Sequence, residues 1–280
     1  MALANMKDLI REARAQNRAV GAFSVSSVDM IAGVIRAAEA ADTPVILQVA
    51  QVRLPWSPLP VIGAAMLAAA REARVPVAVH LDHGMTEDCI REALDIGFTS
   101  VMFDGSRLPM AENIARTKEI VALAKRYGAA VEAEIGVVGK TETGAALTAR
   151  CADPEEAVRF VQETGVDALA VAIGNAHGVY EGTPELRFDV LEKMQHRCGD
   201  TAFVLHGGTG ITREDFRRAI GLGMHKINIA TATFMAVHQA AQGTDGYFDM
   251  IGRMTDAAED VARQHIGIFG VRNAKEEAVS

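Results

Sequence analysis

The sequence predicts a parallel α/β protein, most economically a closed (β/α)8 (TIM) barrel folded as a single domain over residues 1–280. Eight short apolar runs alternate with helical patterns at roughly 30-residue spacing, the rhythm of repeated βαβ units. The 280-residue length falls within the range such barrels occupy as one domain, and no linker, repeat or low-complexity tract divides it. No Gly-x-Gly-x-x-Gly follows the first strand, which disfavours the open, doubly wound alternative.

The elements follow in order. A helical pattern over 6–16 precedes the first strand at 21–25. Ser26, Ser27 and Asp29 cap a helix running to about 41, and an apolar run at 44–50 makes the second strand, followed by a helix over 58–74. The third strand starts at Val75 and ends in His80-Leu81-Asp82-His83-Gly84, with Thr86, Glu87 and Asp88 opening the next helix. Strands at 100–104 and 129–135 flank a helix over 109–127. The connection 136–152, rich in Gly, Thr and Ala, reads as a mobile surface loop. Asp153-Pro154-Glu155-Glu156 opens a helix with a cap, a proline at its first position and acids near its positive end. Strands at 168–174, 202–205 and 226–231 complete the eight, with helices over 188–197 and after Thr212. An extra helical segment occupies about 232–272.

Composition narrows the function. A hydrophobic fraction of 49% with 23% charged residues belongs to an ordinary globular chain rather than a disordered one. No apolar run reaches the 18 or more residues of a membrane span, and the amino terminus lacks a secretion signal, so a cytoplasmic location is expected. Cys89, Cys151 and Cys198 are odd in number and far apart, which argues against a disulfide framework or a thiolate zinc site. The net charge of −8 without a basic cluster argues against nucleic acid or an anionic membrane as partner.

In a parallel barrel the βα loops converge on one mouth, so catalytic groups gather at the carboxyl ends of the strands. Those ends carry Asp82 and His83, Asp104, Glu134, His177 with Gly178, His206 with Gly207, Gly208 and Thr209, and Asn228 with Ala230 and Thr231. His80 and Asp82, two apart on a strand, share one face, while His83 falls where the strand breaks at Gly84. Three histidines at matching positions form the three-ligand set of a catalytic zinc site with one position open. The glycines 207, 208 and 210 ahead of a capped helix offer free amides to a phosphate, and Asn228 and Thr231 add donors beside them.

These segments together resemble the class II, metal-dependent ketose-bisphosphate aldolases. The motifs that carry the resemblance are 80–83 (HLDH), 100–106 (SVMFDGS), 131–136 (VEAEIG), 176–180 (AHGVY), 204–210 (VLHGGTG) and 226–231 (KINIAT), spread from about Gly21 to Thr233. The resemblance implies a catalytic Zn2+ on His83, His177 and His206, and Asp82 as the acid that exchanges a proton with the aldehyde oxygen. It implies that Gly178, Gly207, Gly208, Thr209, Asn228, Ala230 and Thr231 hold dihydroxyacetone phosphate, and that Glu142 in the 136–152 loop exchanges the proton beside the ketone. Asp104 and Glu134 match positions of a second divalent or alternative metal placement, and read equally as hydrogen-bond acceptors behind the ligands. Some family members also hold a monovalent cation near the phosphate. A sugar-phosphate substrate and a homodimer or homotetramer are implied too.

The chain departs from the fructose-bisphosphate pattern at several points. Ser24 replaces an Asn, Val49-Ala50 a more polar stretch and Glu181 a Lys; Lys140 interrupts a Gly-Gly pair; Ala230 stands where the tagatose-type members also have Ala. These departures favour tagatose bisphosphate or another ketose phosphate over fructose bisphosphate. Arg253 and Arg263 are candidates for reading the distal phosphate. Lys226 reads as a solvated residue ahead of its strand, so no Schiff-base lysine is suggested. A zinc hydrolase is disfavoured because no His-x-His marks the first strand. A non-catalytic sugar-phosphate-binding barrel is disfavoured by the presence of Asp82, Glu142 and all three histidines.

Overall fold

The computed structural model describes residues 2–140, 150–180, 182, 184–194 and 197–270. Its eight barrel strands are β1 (Val20–Ser24), β2 (Val45–Ala50), β3 (Val77–Gly84), β4 (Ser100–Phe103), β5 (Ala130–Ile135), β6 (Ala168–Val171), β7 (Ala202–Leu205) and β8 (Met224–Ile229). All pair in parallel with their sequence neighbours, and β8 closes on β1 with Val20 opposite Lys226 and Phe23 opposite Ile229. Among the described residues no helix is long and apolar enough to cross a membrane.

Between and around the strands lie α1 (Met6–Ala15), α2 (Val28–Ala40), α3 (Leu59–Glu72), α4 (Glu87–Ile96), α5 (Met110–Lys125), α6 (Pro154–Thr164), α7 (Phe188–Met194), α8 (Arg213–Gly221), α9 (Thr231–Ala240) and α10 (Tyr247–Ile268). Their ends obey local chemistry. Thr86 caps α4 by accepting from Cys89 N, and Asp153 caps α6 by accepting from Glu155 N and Glu156 N. At two strand ends the difference from the sequence reading bears on the site. β6 stops at Val171 because the Asn175 side chain takes the Ile173 amide and Gly174 turns the chain at φ +92°. β8 ends at Ile229, so Thr231 is the first residue of α9 rather than the last of a strand.

The inward positions of the strands set up the site. Toward the amino ends they are small or apolar: Val20, Ala22, Ile46, Ala78, Met102, Ala130, Ala168, Ala170, Ala202 and Val204 form one buried cluster with Met6, Leu9, Ile10 and Ala13 of α1, which stops the base of the barrel. Toward the carboxyl ends the period-two rows turn polar, with Ser24, Gln48, His80, Asp82, Glu132, Glu134, His206, Lys226 and Asn228 all buried. A second, larger apolar cluster fills the space between the sheet and the outer helices.

Candidate active site

Above the polar layer opens a cavity of about 440 Å³. Asp82, His83, Asp104, Glu134, His177, Gly207, Gly208, Thr209, Asn228, Ala230 and Thr231 line it, with His206 fully buried beneath. Of the residues singled out in the sequence, Gly178 does not line the cavity, and Glu142 and Glu181 lie outside the described residues.

Strand alternation turns His80 and Asp82 inward, and the break then takes His83 to φ +45°, a left-handed conformation uncommon for a non-glycine residue. That turn sets His83 at the mouth, with its Nδ1 2.8 Å from Asp104 Oδ2. His206 Nε2 lies 2.8 Å from Glu132 Oε1. The outer nitrogens of both imidazoles thus face carboxylates, and His83 Nε2 and His206 Nδ1 face each other 3.0 Å apart. A proton shared between them makes this a hydrogen bond, and a metal ion that displaced the proton would meet a lone pair on each nitrogen. The His177 ring lies 5.0 Å from His83 and 5.9 Å from His206, centroid to centroid, and one ligand atom from each of the three lies within 4.8 Å of the others. A second group, His83, Asp104 and Glu134, meets the same limit.

The electrostatics fit a cation as well. Glu134 Oε2 is buried without a hydrogen-bond partner, 3.6 Å from His206 Nδ1. Burial and then the charge of Asp104 push the Glu134 carboxyl up to about 8. At His83 burial works downward, yet the charge of Asp82 and the bond to Asp104 outweigh it and raise the imidazole to about 10. Burial works to raise Asp82, but the neighbouring histidines and Lys226 hold it below the usual carboxylate range. Asp82 is therefore an ionised acceptor, held by Asn228 Nδ2 at 3.1 Å and Gln48 Nε2 at 3.3 Å.

Opposite the histidines, the turn after β7 and the start of α9 form a second wall. Gly207 sits at φ +65°, and a Cβ there would overlap Ala176 O and lie 2.6 Å from its carbonyl carbon. Glycine is required, and the Ala176–His177 backbone seats directly against it. Thr209 Oγ1 accepts from Ala232 N at 3.1 Å, while α9 begins at Thr231 with no side-chain cap on Ala230. Tyr180 ties the two loops by accepting from Ala176 N and donating to Gly207 O.

Three expectations are corrected. Lys226 is neither solvated nor ahead of its strand: it lies within β8, fully buried, with Nζ 2.8 Å from Glu132 Oε2. Arg253 and Arg263 do not reach the cavity, because α10 holds them in ion pairs with Asp249 and with Glu259 and Asp260. The cations at the cavity wall are instead Arg53, Arg107 and Arg116. Sequence reasoning also missed Gln48 and Glu132. The signal was there, as polar residues two apart within apolar strands: Glu132 with Glu134, and Lys226 with Asn228.

A closed parallel barrel with three imidazoles and two carboxylates converging at the carboxyl ends of its strands defines a metal-dependent barrel enzyme. The chain matches the family Fructose-bisphosphate aldolase class-II over residues 4–274 and belongs to it. It is an aldolase, a carbon–carbon lyase, and membership implies a divalent metal cation. A 6-phospho-5-dehydro-2-deoxy-D-gluconate aldolase of Halalkalibacterium halodurans is 42% identical over 239 residues, covering 84% of this chain and 83% of its own length. A fructose-bisphosphate aldolase of Staphylococcus aureus is 35% identical over 284 residues, covering 98% and 99%. The crystal structure of the YdjI aldolase from Escherichia coli K12 superposes with a TM-score of 0.88 at 34% identity, covering 97% and 98%.

Proposed function

We propose that this chain is a zinc-dependent aldolase that cleaves a ketose phosphate into dihydroxyacetone phosphate and an aldehyde carrying a carboxylate. The observation that carries the reading is the placement of Asp82 and the three-histidine cluster on one side of a cavity that also bears Arg53, Arg107 and Arg116. The relatives named for 6-phospho-5-dehydro-2-deoxy-D-gluconate support it. With the ketone at carbon 5 and phosphate on carbon 6, aldol cleavage of that sugar acid breaks the bond between carbons 3 and 4. It leaves a three-carbon aldehyde acid as the second product. Tagatose bisphosphate, favoured by Ala230 at the cavity wall, and fructose bisphosphate are the competing substrates.

His83, His177 and His206 would hold a divalent cation, which would supply Lewis acidity to the ketone. Asp104 and Glu134 offer a second or alternative position. The phosphate sits against Gly207, Gly208, Thr209 and Thr231, beside the start of α9, with Asn228 and Ala230 completing that wall and Gly178 next to the ligand His177 behind it. In cleavage the ionised Asp82 takes the proton from the hydroxyl that becomes the aldehyde oxygen. The electron pair of the breaking bond passes to the carbon beside the ketone, which Glu142 then protonates. Glu142 lies two residues beyond Lys140, whose backbone pairs with that of His177. We expect the enzyme to act in the cytoplasm as a homodimer or homotetramer.

The test is a coupled assay for released dihydroxyacetone phosphate with the sugar acid phosphate, tagatose and fructose bisphosphates, and neutral-ended ketose 1-phosphates, with and without chelator. Expected is chelator-sensitive cleavage restored by zinc and fastest on the sugar acid. Cleavage that survives full metal removal, or no preference for an acidic aldehyde half, refutes the corresponding part.

A further inference from the structure

The polar layer beneath the cavity is one continuous chain of contacts, and Lys226 is its centre. Its ammonium lies 2.8 Å from Glu132 Oε2 and donates to Asn228 Oδ1 at 2.7 Å, with no exposure to solvent. Glu132 spends its other oxygen on His206 Nε2, and Asn228 spends its amide nitrogen on Asp82 Oδ1. The order His206, Glu132, Lys226, Asn228, Asp82 joins a proposed metal ligand to the proposed acid–base residue.

Lysine donates and never accepts, so it dictates the sense of every bond along this chain. Because the Asn228 oxygen must face Nζ, its NH2 must face Asp82. An Asn228 turned about would set its carbonyl against an ionised carboxylate. Because Lys226 occupies Glu132 Oε2, Oε1 remains as an ionised acceptor that fixes the proton of His206 on Nε2 and leaves Nδ1 for the metal. A buried ion pair of this kind is weak evidence for stability, since apolar replacements of the whole pair are often neutral or stabilising. Its place here has another reason.

We propose that Lys226 is a positioning residue that holds both halves of the reaction at once, His206 through Glu132 and Asp82 through Asn228. This rests on the assignment of Asp82 and the three histidines made above.

The test compares wild type, Lys226→Met and the electroneutral pair Lys226→Met/Glu132→Gln. Zinc affinity is read by chelator competition, folding by thermal unfolding with and without zinc, and kcat at saturating zinc and substrate. Lys226→Met alone leaves Glu132 charged and unpaired. It is expected to lose zinc affinity about 10- to 100-fold, the usual effect of removing an outer-shell partner. In the double variant the amide oxygen introduced by Glu132→Gln still accepts from His206, so zinc affinity returns to within about threefold of wild type, while kcat stays at least about tenfold low because nothing orients Asn228. A double variant with wild-type kcat overturns the proposal, since charge balance would then be the only role. So does a folded Lys226→Met with wild-type zinc affinity. If Lys226→Met does not fold, the double variant decides. If wild type cleaves none of the substrates, the assignment of function fails, and the zinc-affinity comparison still tests the hold on His206.

Discussion

Gly207→Ala asks how tightly the phosphate wall and the metal cluster are joined. The added methyl meets two separate costs. The backbone at φ +65° carries about 1–2 kcal/mol for a residue with a Cβ. The Cβ also overlaps Ala176 O and lies 2.6 Å from the carbonyl carbon and 3.2 Å from His177 N, and relieving such overpacking typically costs about 1–3 kcal/mol. The atoms that must yield are backbone, next to a proposed metal ligand, and they are paired with Gly139–Lys140. The sum is about 2–5 kcal/mol, a fall in Tm on the order of 5–15 °C for a chain of this size. A displacement of His177 by about 1 Å is expected to cost roughly 100-fold in turnover. Gly165→Ala is the control. Its φ of +67° matches Gly207, but nothing lies within 4 Å of the added Cβ. It should show the conformational cost alone, with zinc affinity and kcat unchanged. Thermal unfolding, chelator competition and the coupled assay on both variants make the comparison. If Gly207→Ala behaves like Gly165→Ala, the wall has slack and the reasoning fails.

Asp82→Ala should bind zinc and dihydroxyacetone phosphate as wild type does, yet lose at least about 100-fold in cleavage, the usual share of a general base; unchanged cleavage removes Asp82 from its role. Arg53, on the 3₁₀ turn Gln51–Arg53, lies 5.3 Å from the Phe234 ring centroid and is one of two cavity cations held against an aromatic ring, the other being Arg116 at 5.6 Å from Phe103. Arg53→Met should lower kcat/KM for the sugar acid by about 10- to 100-fold, the worth of one charge-assisted bond, with under about threefold effect on a neutral-ended ketose 1-phosphate. Equal effects on both would contradict the reading. His80 makes a pH prediction. Burial, then the charge of Lys226, lowers its imidazole from 6.5 to about 3, so below pH 6.5 the unfolded chain takes up a proton that the folded one refuses. Stability therefore falls as pH falls, by about 1.4 kcal/mol from this group between pH 8 and 5.5. Urea unfolding of metal-free His80→Gln should show a correspondingly shallower pH dependence, and a slope equal to wild type would dismiss the assignment.

The barrel was legible because its rhythm is written in short-range chemistry: apolar strands, capping residues such as Thr86 and Asp153, and prolines at helix starts. The mouth was legible too, since in a parallel barrel the strand ends alone decide what converges. What escaped was the layer one step below. Lys226 read as a solvated strand end because a single lysine carries no sign of what will face it; Glu132, nearly a hundred residues earlier, becomes its partner only once β5 and β8 close on the same axis. The cavity arginines escaped for a similar reason. Arg53 owes its position to the turn after β2, which Gln51 pins by accepting from Met85 N at 2.6 Å, a contact between two loops. Arg253 and Arg263, more conspicuous in the sequence, are held on the outer helix by acids three and four residues away.

The helix at the base of the barrel imposes an order on assembly. α1 precedes every strand in the chain, yet the cluster that receives its apolar face draws on strands as late as β7. The Leu3 bridge to Val77 and the bond from Ala4 N to Val77 O can anchor it to β3 earlier, as a tether that waits. A helix that comes before all eight strands is thus among the last to be fully buried. Met6, Leu9 and Ile10 find their full apolar surroundings only when the late strands are in place, and once seated they close the base of the barrel beneath the polar layer that holds Lys226.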